Sequence, residues 1–187
     1  SQVWFTVIMG VVGFGGMFSV YTYISWTMTE VAGMDQSLIW VVLMAYGIGM
    51  TIGNAFGGWL ADRNLEFGII FALACLIVIL TAFYFLSGHA IPATLCFGCV
   101  AFMGSTLVPS LQLRLVHVAG DAQTLAAALN QSALNIANAA GATIGGAVVG
   151  AGLGYSAPAL AGAALAAAGC LVWAATMWDK KRLSRRA

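Results

Sequence analysis

Charge is what this sequence has least of. Only 7% of its 187 residues are charged and the mean hydropathy is +0.96, whereas an ordinary soluble domain carries roughly 25% charged residues. A soluble globular fold is excluded. Neither sign dominates, with seven basic against six acidic side chains and a net charge of +1, so the basic footprint of a nucleic-acid binder is missing. Histidine is limited to His89 and His117, which fall in polar corners on opposite sides of the chain's path. Ser105 and Ser110 lie inside an apolar run, yet no histidine base can reach them there, so an intramembrane serine hydrolase, and with it an enzyme, is set aside. Of the four cysteines, Cys96 and Cys99 have CxxC spacing but sit in an apolar run with no second ligand pair. They read as small hydrophobes, and neither a metal nor any other cofactor is expected.

What is present is length of apolar run. A helix needs roughly 20 apolar residues to cross a ~30 Å hydrocarbon core. Runs at about 3–28, 37–60, 67–86, 91–113, 122–152 and 157–178 are separated by short polar corners. The expectation is an all-α membrane protein, a single bundle of six transmembrane helices over 1–187. Pro92 and Pro158 suit first helical turns, where a missing N–H costs nothing, and Ser156 is a candidate N-cap. The first run is too long, and too poor in basic flanking residues, for a removable signal peptide. The sequence begins Ser1-Gln2-Val3-Trp4 without a Met, so it reads as part of a larger polypeptide.

The chain is organised around Gly53-Asn54-Ala55-Phe56-Gly57-Gly58-Trp59-Leu60-Ala61-Asp62-Arg63-Asn64-Leu65-Glu66, where a glycine-laddered run stops at an acidic-basic corner. An ion pair costs several kcal/mol inside a bilayer and little at its surface, so Asp62-Arg63 marks a turn between two crossings. The basic residues Arg63, Arg114, Lys180, Lys181, Arg182, Arg185 and Arg186 fall in the second, fourth and final corners, and Glu30, Asp35 and His89 in the opposite ones. By the positive-inside rule both termini are cytoplasmic.

The crossings differ in a repeating way. The first and fourth carry soft and polar residues at helical spacing: Phe14, Met17, Phe18, Tyr21 and Ser25, then Cys99, Met103, Thr106 and Ser110. These are candidate cavity linings, although Tyr21, Tyr23 and Trp26 also suit an interfacial aromatic belt. Gly13, Gly15 and Gly16 suggest a hinge in the first crossing. The second and fifth have small-residue stripes, Gly49, Gly53 and Gly57, then Gly141, Gly145, Val148 and Gly152, which let backbones approach closely. The third and sixth are plain Phe, Ile, Leu, Ala and Val, and are expected outermost, with the first and fourth lining a concave side. A pattern of cavity, packing and lipid helix used twice is what a three-plus-three inverted repeat leaves in sequence. No carboxylate lies within any crossing.

Gly58-Trp59-Leu60-Ala61-Asp62-Arg63 resembles the loop signature between the second and third helices of each half of major facilitator superfamily transporters. The segment from Leu125 to Gly141, followed by Gly145-Gly146 and Gly152-Leu153-Gly154-Tyr155, resembles the fifth helix of the C-terminal half of bacterial drug:proton antiporter-type permeases, including the sugar-efflux and purine-efflux relatives. The likeness spans the chain, with helices seven to twelve of a twelve-helix fold as its counterpart. Asn64-Leu65-Glu66 departs from the family's glycine and basic pair, and the fourth crossing is read as lacking the buried arginine of N-terminal halves. Both departures suit a C-terminal half. The resemblance implies alternating-access efflux of a small organic solute or drug from the bacterial cytoplasm across the inner membrane, with proton coupling through a titrating acid in the other half. The implied partners are the lipid bilayer, the missing N-terminal half or a second copy of this chain, and a small-molecule substrate, with no nucleic acid.

Gly58, Asp62 and Arg63 are the gating-loop candidates. A carboxylate at Asp62 can meet the positive end of a neighbouring helix and latch one conformation, or it can simply cap a solvated turn. A side chain at Gly58 is expected to wedge apart a close approach. Gln131, Asn135 and Asn138 share one narrow face of the fifth crossing. They serve either solute and water in a cavity or hydrogen bonds between helices, and Asn54 reads as packing glue.

Overall fold

The computed structural model describes residues 2–119 and 123–184. Its elements are α1 (Gln2–Tyr21), a short α2 (Ile24–Trp26) continued by a π-helical turn (Thr27–Val31), a 3-10 turn (Gln36–Leu38), α3 (Ile39–Leu86), α4 (Ala90–Ala119), α5 (Gln123–Gly150) and α6 (Pro158–Ser184). Among the described residues five helices are long and apolar enough to cross a membrane, and α3 is long enough to cross twice. As a straight rod its 48 residues would reach about 72 Å.

It folds back at Asn64 instead, where φ is −156° and ψ is 92°. That extended backbone frees the Asn64 side chain to accept the Phe67 N–H at 3.1 Å, the arrangement of an N-cap on a new helix. The cap of this corner is therefore Asn64, one step beyond the Asp62-Arg63 pair. The contacts with α4 give the directions. Gly49, Gly53 and Gly57 climb alongside Gly98, Phe102 and Thr106, whereas Gly68 lies by Ser110 and the Cys96 thiol bonds the Ile79 carbonyl at 3.3 Å. The first arm (39–63) thus runs parallel to α4 and the second arm (65–86) antiparallel, which gives six crossings in all. Gln2 Nε2 donates to Asp179 Oδ2 at 2.9 Å, so the first and last helices meet at one end of the bundle, the Arg114 end. Glu30, Asp35 and His89 mark the other.

Glycine seams set the packing. A Cβ on Gly49, Gly53 or Gly57 would run into the backbone carbonyls of Gly98, Phe102 or Thr106 on α4, and one on Gly141 into that of Gly15 on α1. Gly145 and Gly146 sit against Tyr23. Gly152 falls beyond the expected stripe, because α5 stops at Gly150 and positive φ at Gly152 (78°) and Gly154 (87°) turns the chain toward α6. Ser156 does not cap α6 with its side chain, which pairs with the Ser87 hydroxyl at 2.7 Å. The hinge expected at Gly13, Gly15 and Gly16 is also displaced. Gly16 is a packing residue inside continuous α1, against the Gly162 backbone, and the helix breaks later, at Thr22–Tyr23.

The second arm of α3 buries Ile69, Ala72, Leu73, Leu76, Leu80 and Phe83, so one of the two crossings expected to be outermost presents a full apolar face to the core. The first arm instead turns Trp40, Met44, Ile48, Ile52 and Trp59 outward, and α5 is exposed along most of its length apart from a stripe at Asn130, Ala133, Ala137, Gly141 and Gly145. At α1 and α4 the enclosure is greatest, because α1 touches α4, α5, α6 and the second arm.

Candidate solute path and gating corner

Enclosure decides which sequence candidates can meet a solute. Phe14, Met17, Thr106 and Ser110 are all at most 2% exposed. Thr106 is within bonding distance of the Gly53 carbonyl at 3.2 Å and of Phe102 at 2.8 Å, while the Met17 sulfur fills the space beside Gly104. These four are packing residues here. Periodicity placed Phe14 and Met17 on one face of the first crossing and Thr106 and Ser110 on one face of the fourth, but Met17 packs on Gly104 of α4, Thr106 faces Gly53 and Gly57 of the first arm, and Ser110 lies by Gly68 of the second. Phe18 and Met103 remain half-buried and Tyr21 is 40% exposed. Tyr21 leans on Tyr46 of the first arm with ring centroids 4.8 Å apart, and Tyr46 continues at 4.8 Å to Phe97 of α4. Tyr46 was not a sequence candidate, since it reads as one more aromatic in an apolar run.

The amides of Gln131, Asn135 and Asn138 all lie on the exposed part of α5. Several other polar side chains on the exposed faces satisfy themselves locally: Ser132, Thr143 and Asn54 each donate to the carbonyl four residues back. For the three α5 amides the described residues supply no such bond. Water, a solute or a partner protein must meet them.

At the Arg114 end the gating candidates divide. Asp62 and Arg63 are exposed, and the Arg63 guanidinium folds back over the Trp59 ring, 4.3 Å from its centroid. A Cβ added to Gly58 meets nothing within 4 Å, so within this chain the close-approach glycine is its neighbour Gly57. Gly58, Ala61 and Asp62 instead form one wall of a cavity of about 290 Å³, whose other wall is Pro109, Gln112, Leu113 and Val116 of α4.

Sequence reading missed the strongest electrostatic feature. Arg114 was placed in a surface corner, but α4 continues to Ala119 and leaves Arg114 only 1% exposed. Its Nη1 donates to Glu66 Oε2, its Nε donates to Thr6 Oγ1 at 3.1 Å, and Trp173 Nε1 donates to the same Glu66 oxygen at 3.0 Å. A buried guanidinium is tolerable only when paired and hydrogen-bonded. Four helical segments are tied here: α1, the second arm of α3, α4 and α6. The available signal was the lone Glu66 after the kink, 48 positions from its partner.

The structure is a bundle of helices long and apolar enough to cross a membrane, with the amides of α5 open on its outer face. The sequence matches the family description "Major Facilitator Superfamily" over residues 6–187, and the chain belongs to that superfamily. It is 37% identical over 155 residues to the Escherichia coli (strain K12) "Inner membrane transport protein YdhP", covering 83% of this chain and 40% of that protein. It is 34% identical over 157 residues to the Bacillus subtilis (strain 168) "Uncharacterized MFS-type transporter YtbD", with 79% and 38% covered. Against the Streptomyces lividans "Chloramphenicol resistance protein" it is 29% identical over 170 residues, with 89% and 42% covered. The chain spans about two fifths of the length of these relatives.

Proposed function

We propose that this chain is the C-terminal half of an alternating-access transporter that exports a small organic solute or drug across the bacterial inner membrane, with both termini cytoplasmic. The observation that carries the reading is the pair of open faces on the first arm of α3 and on α5. Both helices hold the bundle by a glycine seam on one side and leave apolar residues, or the unmet amides Gln131, Asn135 and Asn138, on the other. A second six-helix half covers most of those faces and leaves a water-filled path where amides and the Tyr21–Tyr46 pair meet the solute. An inverted repeat accounts for the seams, since the second crossing packs in parallel on the fourth and the fifth in parallel on the first. Export is favoured by the relative named for chloramphenicol resistance. The cavity between Gly58–Asp62 and α4 suits a helix end of the other half, with Asp62 facing its positive terminus. Proton coupling, in this reading, uses an acid of the other half, because the carboxylate inside this bundle, Glu66, is tied to Arg114.

The test is to express the chain alone, and fused behind the first six helices of the YdhP relative, in an efflux-deficient strain. Solute accumulation and mass in detergent are then measured. The reading expects export only from the fusion. Export by the chain alone, together with a dimeric mass, would replace it with a half-size homodimer.

A further inference from the structure

At the end of the bundle away from Arg114, the broken first crossing forms a second polar cavity that the transport reading does not use. α1 stops at Tyr21, and the chain passes through a turn and α2 into the π-helical Thr27–Val31. One wider turn of this kind shifts the side chains that follow out of the α register, and such turns recur at functional sites. The segment is held firmly. Thr27 Oγ1 lies 2.8 Å from the Tyr155 carbonyl, Ser19 Oγ lies 2.9 Å from that of Pro158, and the Tyr23 hydroxyl donates to the Ala142 carbonyl at 3.1 Å. The result is a cavity of about 350 Å³ lined by Ser25, Trp26, Thr29, Glu30, Met34 and Gln36.

We infer that this cavity is a recognition site for a small organic cation, an alkyl- or arylammonium, with Glu30 as its counter-charge and Trp26 as its aromatic wall. Trp26 is 51% exposed and backed by the Tyr23 ring at 6.2 Å, so its face is available for cation–π contact. Among the described residues no ion pair reaches the exposed Glu30. Among the described residues, Arg63, Arg114 and Arg182 all lie toward the other end of the bundle. The second carboxylate at this end, Asp35, is engaged with the Ser37 N–H at 2.8 Å, and that hydrogen bonding to Ser37 lowers its pKa. An anion would meet uncompensated repulsion here. A neutral solute would leave the carboxylate without a partner, whereas an ammonium satisfies it. The volume falls at the small end of ligand pockets. The Gln36 amide and the Ser25 and Thr29 hydroxyls add polar surface, with Thr29 Oγ1 already bonded to the Ser25 carbonyl at 3.0 Å.

The inference does not depend on transport, and direct binding tests it. The chain is reconstituted in zwitterionic-lipid nanodiscs and titrated with phenyltrimethylammonium, a permanent cation, while circular dichroism follows its helix content. Saturable binding at one site per chain is expected. Glu30→Gln should weaken it about tenfold or more and Trp26→Leu about two- to fivefold, as loss of an ion pair and of an exposed cation–π contact would do. Gln36→Glu, which adds a second carboxylate to the wall, should tighten it and needs no loss of structure to be read. Absence of saturable binding to the helical chain overturns the assignment, as does binding that Glu30→Gln and Gln36→Glu leave unchanged.

Discussion

The two ends of this bundle are built on opposite principles. At one, a buried guanidinium, a carboxylate, an indole and a hydroxyl on four helical segments close into a single network around Arg114. At the other, the first crossing is interrupted, its hydroxyls bond to loop carbonyls of the 151–158 corner, and the charged group beside the resulting cavity has no ion-pair partner among the described residues. An ionic network inside a low-dielectric bundle fixes one arrangement, because any displacement leaves a buried charge unpaired. Neutral hydroxyl-to-carbonyl bonds are individually worth about 1 kcal/mol and can be exchanged for water. The Arg114 end is therefore the rigid end, and the Glu30 end the one where helices can shift at low cost.

Breaking the rigid end should have the largest effect. Arg114→Met breaks the buried ion pair with Glu66 and is expected to destabilise the chain by about 3 to 5 kcal/mol, read as thermal unfolding in detergent. The double variant Arg114→Met with Glu66→Met removes both charges and should recover most of that loss. Should the double variant be as unstable as the single, the network is not an ion-pair effect. Next come the seams. Gly53→Ala puts a methyl into the Phe102 backbone and should cost about 1 to 3 kcal/mol, the range for overpacking. Gly58→Leu meets open space and should change the stability of this half by no more than about 0.5 kcal/mol. Its effect, if the groove receives a helix of the other half, appears only in transport by the fusion. At the loose end, Thr27→Val removes the Tyr155 contact and should cost about 1 kcal/mol, visible in the same unfolding experiment.

A small stability effect is also expected on the open face. Ala at Gln131, Asn135 or Asn138 should leave stability within about 1 kcal/mol of the parent while changing solute preference in the fusion. A falling melting temperature with unaltered preference would make these amides structural glue.

Much of the architecture was legible in the sequence because it follows from hydropathy and sparse charge. Six crossings, the corner after Asp62-Arg63 and the close-approach role of Gly49, Gly53 and Gly57 needed only local pattern. The site was less legible, for a reason that differs from residue to residue. Phe14 and Met17 do share a helical face, but periodicity says nothing of what stands opposite, and the core of the bundle encloses both, with Met17 against Gly104 of α4. Arg114 ends an apolar run, which makes it look like a surface corner until Glu66, far away in sequence, supplies its partner. Gly57 and Gly58 are adjacent and differ only in which one points at Thr106. The break at Thr22–Tyr23 carries no Gly or Pro, and it depends on carbonyl and hydroxyl contacts with the 142–158 region that no single window contains.

Hydrogen–deuterium exchange on the chain in nanodiscs tests the contrast between the ends most directly. Backbone amides of 107–117, beside Arg114, should exchange at least about 100-fold more slowly than those of 22–36, since local opening spans that range between tied core and loose segments. Arg114→Met should erase most of the difference. Equal protection at the two ends of the parent chain, or faster exchange around Arg114, would contradict the account.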